Sequence, residues 1–228
     1  MKDRYCLPVI KRSKKDVLDT LDKFGENYGF FEVWLDYIED FDTDFTVELI
    51  DKYPDRIILV LRRQNLEPIK MPFEERKKVL DTATSKNCLV DLDIVIQKEE
   101  LNYLKSSGKD NNLICSYHNY DSTPAYDELE KTVNEMEAYS PGIIKLSTMC
   151  NSSDDALRLI KLKVKFLKND RRHIVLGMGE EGKITRVFGA LWGNALIFIP
   201  ETEEEASAPG QITRQEFDKI MERIKRTD

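Results

Sequence analysis

Eight short runs rich in Val, Ile, Leu and Phe alternate with charged amphipathic segments in a chain of 228 residues, and no Gly/Ser/Pro-rich linker or composition break interrupts them. Together these observations predict a single (β/α)8 barrel spanning residues 1–228. Strands joined by single helices must be parallel, because a helical crossover returns the chain to the same end of the sheet. A doubly wound sheet usually has fewer strands.

Taken in order, the first strand is "YCLPVI" (5–10), followed by a helix near 13–23. "FFEVWLD" (30–36) leads to a helix at 43–52, and "RIILVLR" (56–62) to one at 73–84. "CLVDLDI" (88–94) precedes a helix at 98–106, and "NLICSYH" (112–118) one at 124–138. "GIIKLST" (142–148) precedes the clearest helix, 153–168, where Ala156, Leu159, Ile160, Val164 and Leu167 recur at three- and four-residue steps among Lys161, Lys163 and Lys165. "HIVLGM" (173–178) and a helix at 183–191 follow, then "NALIFI" (194–199) and a last helix at 213–226. Thr213 and Glu216 form a capping box for that helix.

Composition limits the function. Apolar residues make up 41% of the chain, with nine Tyr, ten Phe and two Trp, enough to fill a core. The net charge of −7 opposes binding to nucleic acid or to an anionic membrane, both of which need a basic stripe. The N-terminal apolar run is too short for a signal peptide, and no run reaches the ~20 apolar residues that span a bilayer, so a cytoplasmic location is expected. Cys6, Cys88, Cys115 and Cys150 lack Cys-x-x-Cys spacing and read as reduced core residues, with no metal site.

Barrel active sites lie at the C-terminal ends of the strands. Glu32, Asp36, Arg62, Asp91, Asp93, His118 and Lys145 all fall in or near that half of their strands, where a helix-covered sheet should be continuously apolar. Each charge therefore needs a partner, and convergence on one lumen supplies it. Lys145 has two readings. One is a structural cation paired with Glu32, Asp91 or Asp93. The other is a Schiff-base lysine whose pKa is lowered to roughly 7–8 by apolar surroundings and a second cation, for which Arg62 is the candidate. His118, ending its strand next to that of Lys145, is placed to move protons. His173 opens its strand at the opposite end and reads as structural. "GMGEEG" (177–182) matches a dinucleotide fingerprint, but it follows the seventh strand and carries Glu180 and Glu181, so a tight barrel loop is expected.

Several motifs occur in a particular order. Glu32 precedes Asp36 in strand two, Arg62 closes strand three, "DLD" lies in strand four and "SYH" ends strand five. The strand-six lysine, "GMGEEGKITRVFG" with Met178 and Arg186, "LWGNALIF", and "SAPGQ" (Ser207 to Gln211) follow. In this order the sequence resembles the type I 3-dehydroquinate dehydratase family over nearly its whole length. The resemblance implies that Lys145 forms an imine with the ring ketone of 3-dehydroquinate and that His118 moves the protons of a syn loss of water. It implies substrate contacts from Glu32, Arg62, Met178, Arg186, Ser207 and Gln211, a loop carrying Ser207 that closes over the ring, no metal or organic cofactor, and a homodimer. Three positions depart from the family pattern. The usual strand-two arginine is Trp34, the glutamate expected after strand three is met only by Glu67 with a one-residue shift, and the aspartate after the histidine is Asn119. Two other readings are a class I aldolase or transaldolase, which needs a phosphate site where this chain has Glu180, Glu181 and Glu201 to Glu205, and a non-catalytic binding protein on the same barrel.

Overall fold

The structure is a computed structural model that describes residues 1–62, 70–108 and 112–225. Its elements are β1 (Tyr5–Val9), α1 (Lys14–Phe24), β2 (Phe30–Trp34), α2 (Thr43–Lys52), β3 (Ile57–Val60), α3 (Phe73–Ser85), β4 (Leu89–Asp93) and α4 (Lys98–Ser106). They continue as β5 (Leu113–Asn119), α5 (Tyr126–Glu137), β6 (Ile143–Met149), α6 (Ser153–Lys168), β7 (His173–Met178), α7 (Lys183–Leu191), β8 (Ile197–Phe198) and α8 (Arg214–Lys225). All strand pairs are parallel, in the order β7-β6-β5-β4-β3-β2-β1-β8, as the sequence predicts for a barrel. Helix starts follow local chemistry. Ser13, Asp42 and Ser152 each accept a backbone N–H of the first turn, and Glu216 reaches back to Thr213 ahead of α8.

The last strand is shorter than the expected 194–199, because the chain meets β7 there by a different device. Ala195 N donates to the His173 carbonyl at 2.8 Å. The Asn194 side chain then takes the place of a strand residue: its Oδ1 accepts from Val175 N and its Nδ2 donates to Val175 O, both at 3.2 Å. A carboxamide carries the same donor and acceptor as a peptide, so one side chain bridges the seam.

Alternation along the strands separates two layers. Outward residues such as Leu7, Val33, Leu59, Leu92, Leu146 and Val175 pack with the helices in the main core. Inward residues Cys6, Ile58, Ile114, Ile143, Ile174 and Leu196 fill the lower lumen. Two residues further along the same faces the lumen becomes ionisable, with Ile114 followed by Ser116 and His118, and Ile143 by Lys145. The site therefore stands on an apolar plug.

Helix α6 departs from the expected stripe. Its buried face is Asp155, Ala156, Leu159, Leu162, Lys163 and Phe166, whereas Val164 and Leu167 are exposed. Lys163 is buried because His173 of β7 and Asn194 ahead of β8 offer it acceptors: Nζ donates to His173 Nε2 at 2.8 Å and to Asn194 Oδ1 at 2.7 Å. The four cysteines are free and buried, as expected. The loop after β7 is tight as expected: a Cβ on Gly182 would collide with the backbone of Gly177 and Met178.

Candidate active site

One cavity at the C-terminal ends of the strands brings together Glu32, Arg62, His118, Lys145, Arg186, Ser207 and Gln211. Met178 is fully buried on β7, two residues beyond the cavity residue Leu176, and does not itself line the cavity. Asp36 lies past the end of β2 in a 3-10 turn (Leu35–Tyr37), outside this cavity. Glu67 lies outside the described residues.

Lys145 sits at mid-strand of β6, paired in register with Ser116 of β5 and Ile174 of β7. Its Nζ donates to Glu32 Oε1 at 2.8 Å and to Asp91 Oδ2 at 2.6 Å, and lies 4.2 Å from the centre of the Phe198 ring. The lowered pKa expected from sequence is not what this arrangement gives. Burial pushes the ammonium toward neutrality, but the Asp91 and Glu32 carboxylates outweigh burial and Arg62, so the pKa is raised and the resting amine is charged. The second cation, Arg62, spends its charge on Asp91, with Nη1 at 2.9 Å from Oδ1. Burial would raise the Asp91 pKa, yet Lys145 and Arg62 hold it well below the usual carboxylate range. Ser116 Oγ donates to the same Oδ1 at 2.5 Å and completes its shell.

His118 is buried at the end of β5. Nδ1 donates to Asp93 Oδ2 at 2.9 Å, and Nε2 faces the cavity, 3.4 Å from Arg62 Nη2. Burial and then Arg62 push the imidazole pKa below its ordinary value, against the pull of Asp93. The ring is therefore neutral at neutral pH, with its Nε2 lone pair turned to the site.

Trp34 forms a wall of the cavity. Its Nε1 donates to Glu32 Oε2 at 3.1 Å, and its ring lies 5.3 Å from the Arg62 guanidinium carbon. Both oxygens of Glu32 are thus occupied. Asn119, one residue past His118, turns away to its own loop and accepts the backbone N–H groups of Asp121 and Ser122, each at 3.0 Å. Its missing charge is a loop feature.

Arg186 on α7 is buried and has no ion pair among the described residues; Nε has no hydrogen-bond partner there, and Nη2 makes one long contact to the Pro209 carbonyl at 3.4 Å. Burial pushes its pKa down to about 10. A buried guanidinium in that state calls for an anion, and its planar fork suits a carboxylate. Loop 201–211 covers it. Ser207 N donates to Gln211 Oε1 at 2.7 Å, Gln211 Nε2 donates to Ser207 Oγ at 3.1 Å, and Gly179 N donates to Pro209 O at 3.1 Å. Lys11–Glu205 and Arg214–Glu201 ion pairs hold the first half of the loop.

Sequence reasoning missed Ser147, Leu176 and Ala208 in the cavity lining, and with them the two aromatic residues Tyr120 and Phe198. The signal was present. Both continue the inward alternation of their strands, from Ser116 and His118 to Tyr120 and from Leu196 to Phe198.

The profile of the family described as type I 3-dehydroquinase matches residues 5–228. This chain belongs to the type I 3-dehydroquinase family. It is 32% identical over 227 residues to 3-dehydroquinate dehydratase from Methanococcus maripaludis, covering 96% of this chain and 99% of that one. Against the enzyme of the same name from Methanocaldococcus jannaschii it is 31% identical, covering 95% and 98%. The fold is similar to the crystal structure of a type I 3-dehydroquinate dehydratase from Clostridium difficile, with a TM-score of 0.80, 21% identity and coverage of 97% and 92%. In this 3-dehydroquinase Trp34 bonds Glu32, the partner of Lys145, and Asp93 bonds His118.

Proposed function

We propose that this chain dehydrates 3-dehydroquinate to 3-dehydroshikimate through an imine on Lys145, the hydro-lyase activity of the family to which it belongs. The observation that carries this reading is that the charged Lys145, the neutral His118 and the ion-pair-free Arg186 share one cavity under one loop.

Substrate recognition starts with charge. Arg186 binds the ring carboxylate, and Ser207 and Gln211 hold it and the neighbouring hydroxyl from the loop side; Arg62, and Glu32 once the imine frees it from the ammonium, contact the remaining oxygen substituents, and Met178 packs near the bound ring. The cavity beneath the loop offers about 30 Å³ to water. That is room for one or two waters, so a six-membered ring enters with loop 201–211 displaced and is enclosed when it returns.

Lys145 must lose a proton before it attacks. Asp91, held by Arg62 and Ser116, is a weak base, so Glu32 is the acceptor the geometry offers. The amine adds to the ketone, Glu32 returns its proton to the departing oxygen, which leaves as water, and the protonated imine that remains draws electrons from the adjacent carbon. His118 Nε2 removes the proton from that carbon and returns it to the departing hydroxyl, so one water is lost and the histidine ends neutral. Hydrolysis of the imine frees 3-dehydroshikimate and restores the lysine. Positioned proton transfer of this kind contributes ~10²–10⁴-fold. The same reading takes residues 1–228 as one catalytic unit, cytoplasmic and homodimeric, the last to be checked by sedimentation equilibrium.

Intact-mass analysis after mixing the protein with 3-dehydroquinate and borohydride tests the reading. A ligand-sized adduct on the peptide carrying Lys145, absent from Lys145→Ala, is expected. Dehydration without any adduct would remove the imine, and an unlabelled, inactive protein would leave Lys145 as a structural ion-pair partner.

A further inference from the structure

A base is useful only if its ring is held in one tautomer, and the group that does this for His118 is visible in the structure. We propose that Asp93 of β4 is the positioning residue for His118: it accepts the Nδ1 proton, fixes the ring plane and presents the Nε2 lone pair to the substrate. The inference rests on the dehydratase reading above and adds a residue to it.

The geometry is anchored on both sides. Asp93 Oδ2 is 2.9 Å from His118 Nδ1, while Oδ1 accepts the backbone N–H of Val95 at 2.8 Å and of Ile96 at 3.3 Å. Those two N–H groups belong to the turn entering α4, so the carboxylate is clamped by main chain and cannot swing. The Asp93 backbone is fixed as well, since its N–H donates to Gln97 Oε1 at 3.0 Å. Register pairs Asp93 with Ser116, which puts it one inward step from His118 on the neighbouring strand. Asp93 and His118 are both buried, with side chains 3% and 6% exposed, so water does not compete for the contact.

The other charges around the ring make this anchor necessary. Arg62 faces Nε2, Lys145 lies beyond it with its own carboxylate Asp91, and Tyr120 stacks on the ring at 6.2 Å. None of these groups accepts a proton from Nδ1. Asp93 is the acceptor, and it selects the tautomer that leaves Nε2 free.

Asp93→Asn turns this into a sharp test. The Val95 and Ile96 N–H groups demand an acceptor, so the amide oxygen takes the Oδ1 place and the NH2 points at Nδ1. Two donors then meet unless the imidazole moves its proton to Nε2, where it can no longer accept one. The expected result is a fall in kcat of about 10²-fold or more, with KM nearly unchanged and with the borohydride adduct on Lys145 still formed. What remains of kcat/KM has its acid limb shifted to lower pH, because the carboxylate that raised the His118 pKa is gone.

Nitrogen-15 spectra of the native protein give a readout independent of that variant's folding. The chain has two histidines, so His118→Gln assigns the four ring nitrogens, and His118 is expected as the Nδ1–H form at pH 7.5. An Nε2–H form in the native protein overturns the proposal, as does a folded Asp93→Asn protein with native kcat. If native protein neither dehydrates 3-dehydroquinate nor forms the adduct, the dehydratase reading fails and this proposal falls with it; normal native chemistry with an indifferent Asp93→Asn removes the proposal alone.

Discussion

Lys163 permits a prediction with a worked magnitude. It is 1% exposed, it donates to His173 and Asn194, and no carboxylate among the described residues pairs with it. Burial, with a smaller push from Arg4, brings its pKa down to about 8. The unfolded chain should hold the ordinary value near 10.4. The unfolded state therefore binds more protons between these values, and stability rises with pH in that window. At pH 7 the buried cation costs about 3 kcal/mol, and raising the pH to 10 recovers about 2.5 kcal/mol of it. The neutral amine still has two protons for its two acceptors, so nothing is lost on deprotonation. Lys163→Met abolishes the titration. Urea unfolding of native and variant protein at pH 7 and pH 10, with the variant subtracted at each pH to cancel all other groups, should show the native protein gaining those 2.5 kcal/mol. A difference that does not move with pH refutes the reasoning, whatever the absolute stability of the variant.

Three further outcomes are expected. The acid limb of kcat/KM, followed by the absorbance of the conjugated product, should have an apparent pKa below 6.5 and a plateau above it, since His118 must be neutral and burial and Arg62 both disfavour its charged form. Arg186→Lys keeps the charge but loses the fork, and should raise KM for 3-dehydroquinate by about tenfold or more while the protein stays folded. Gly210→Ala places a methyl against the Gly179 carbonyl at a residue with φ of +76°, so loop 201–211 cannot seat. Its kcat/KM should fall about 10²-fold with little change in denaturation midpoint.

Much of this molecule is legible in the sequence because its two periodicities are clean. The eight predicted helices and seven of the eight predicted strands lie within a few residues of where the spacing places them, since each strand is a short apolar run and α1, α2, α5, α6 and α8 start at local side-chain caps. The eighth strand is the exception: Asn194 joins β7 through its side chain, and no pattern of apolar residues announces that. Lys163 is misleading for a related reason, because a lysine flanked by Leu162 and Val164 reads as a solvent residue until its acceptors on another element are known. At the site, Lys145, His118, Arg186 and the lid residues are identifiable as types at the right strand ends. What the sequence does not contain is how the charges sum. Whether a buried lysine is charged depends on which carboxylates reach it, and Glu32 lies 113 residues away and Asp91 54. The tautomer of His118 is hidden likewise in two backbone N–H groups that hold Asp93.

The pairing of Lys145 with two carboxylates has a consequence for the cell in which the enzyme works. Cells contain reactive aldehydes and ketones in quantity, and a free buried amine would collect them. An ammonium has no lone pair, so the resting enzyme is inert toward such compounds. A small carbonyl compound that drifts into the open site finds nothing to react with unless it also prises the cation from its carboxylates. Only a molecule with an anion for Arg186 and oxygens for the neighbouring walls brings enough binding energy to do so. In the proposed mechanism the nucleophile is thus armed by its own substrate, and selectivity is exercised before any covalent bond forms.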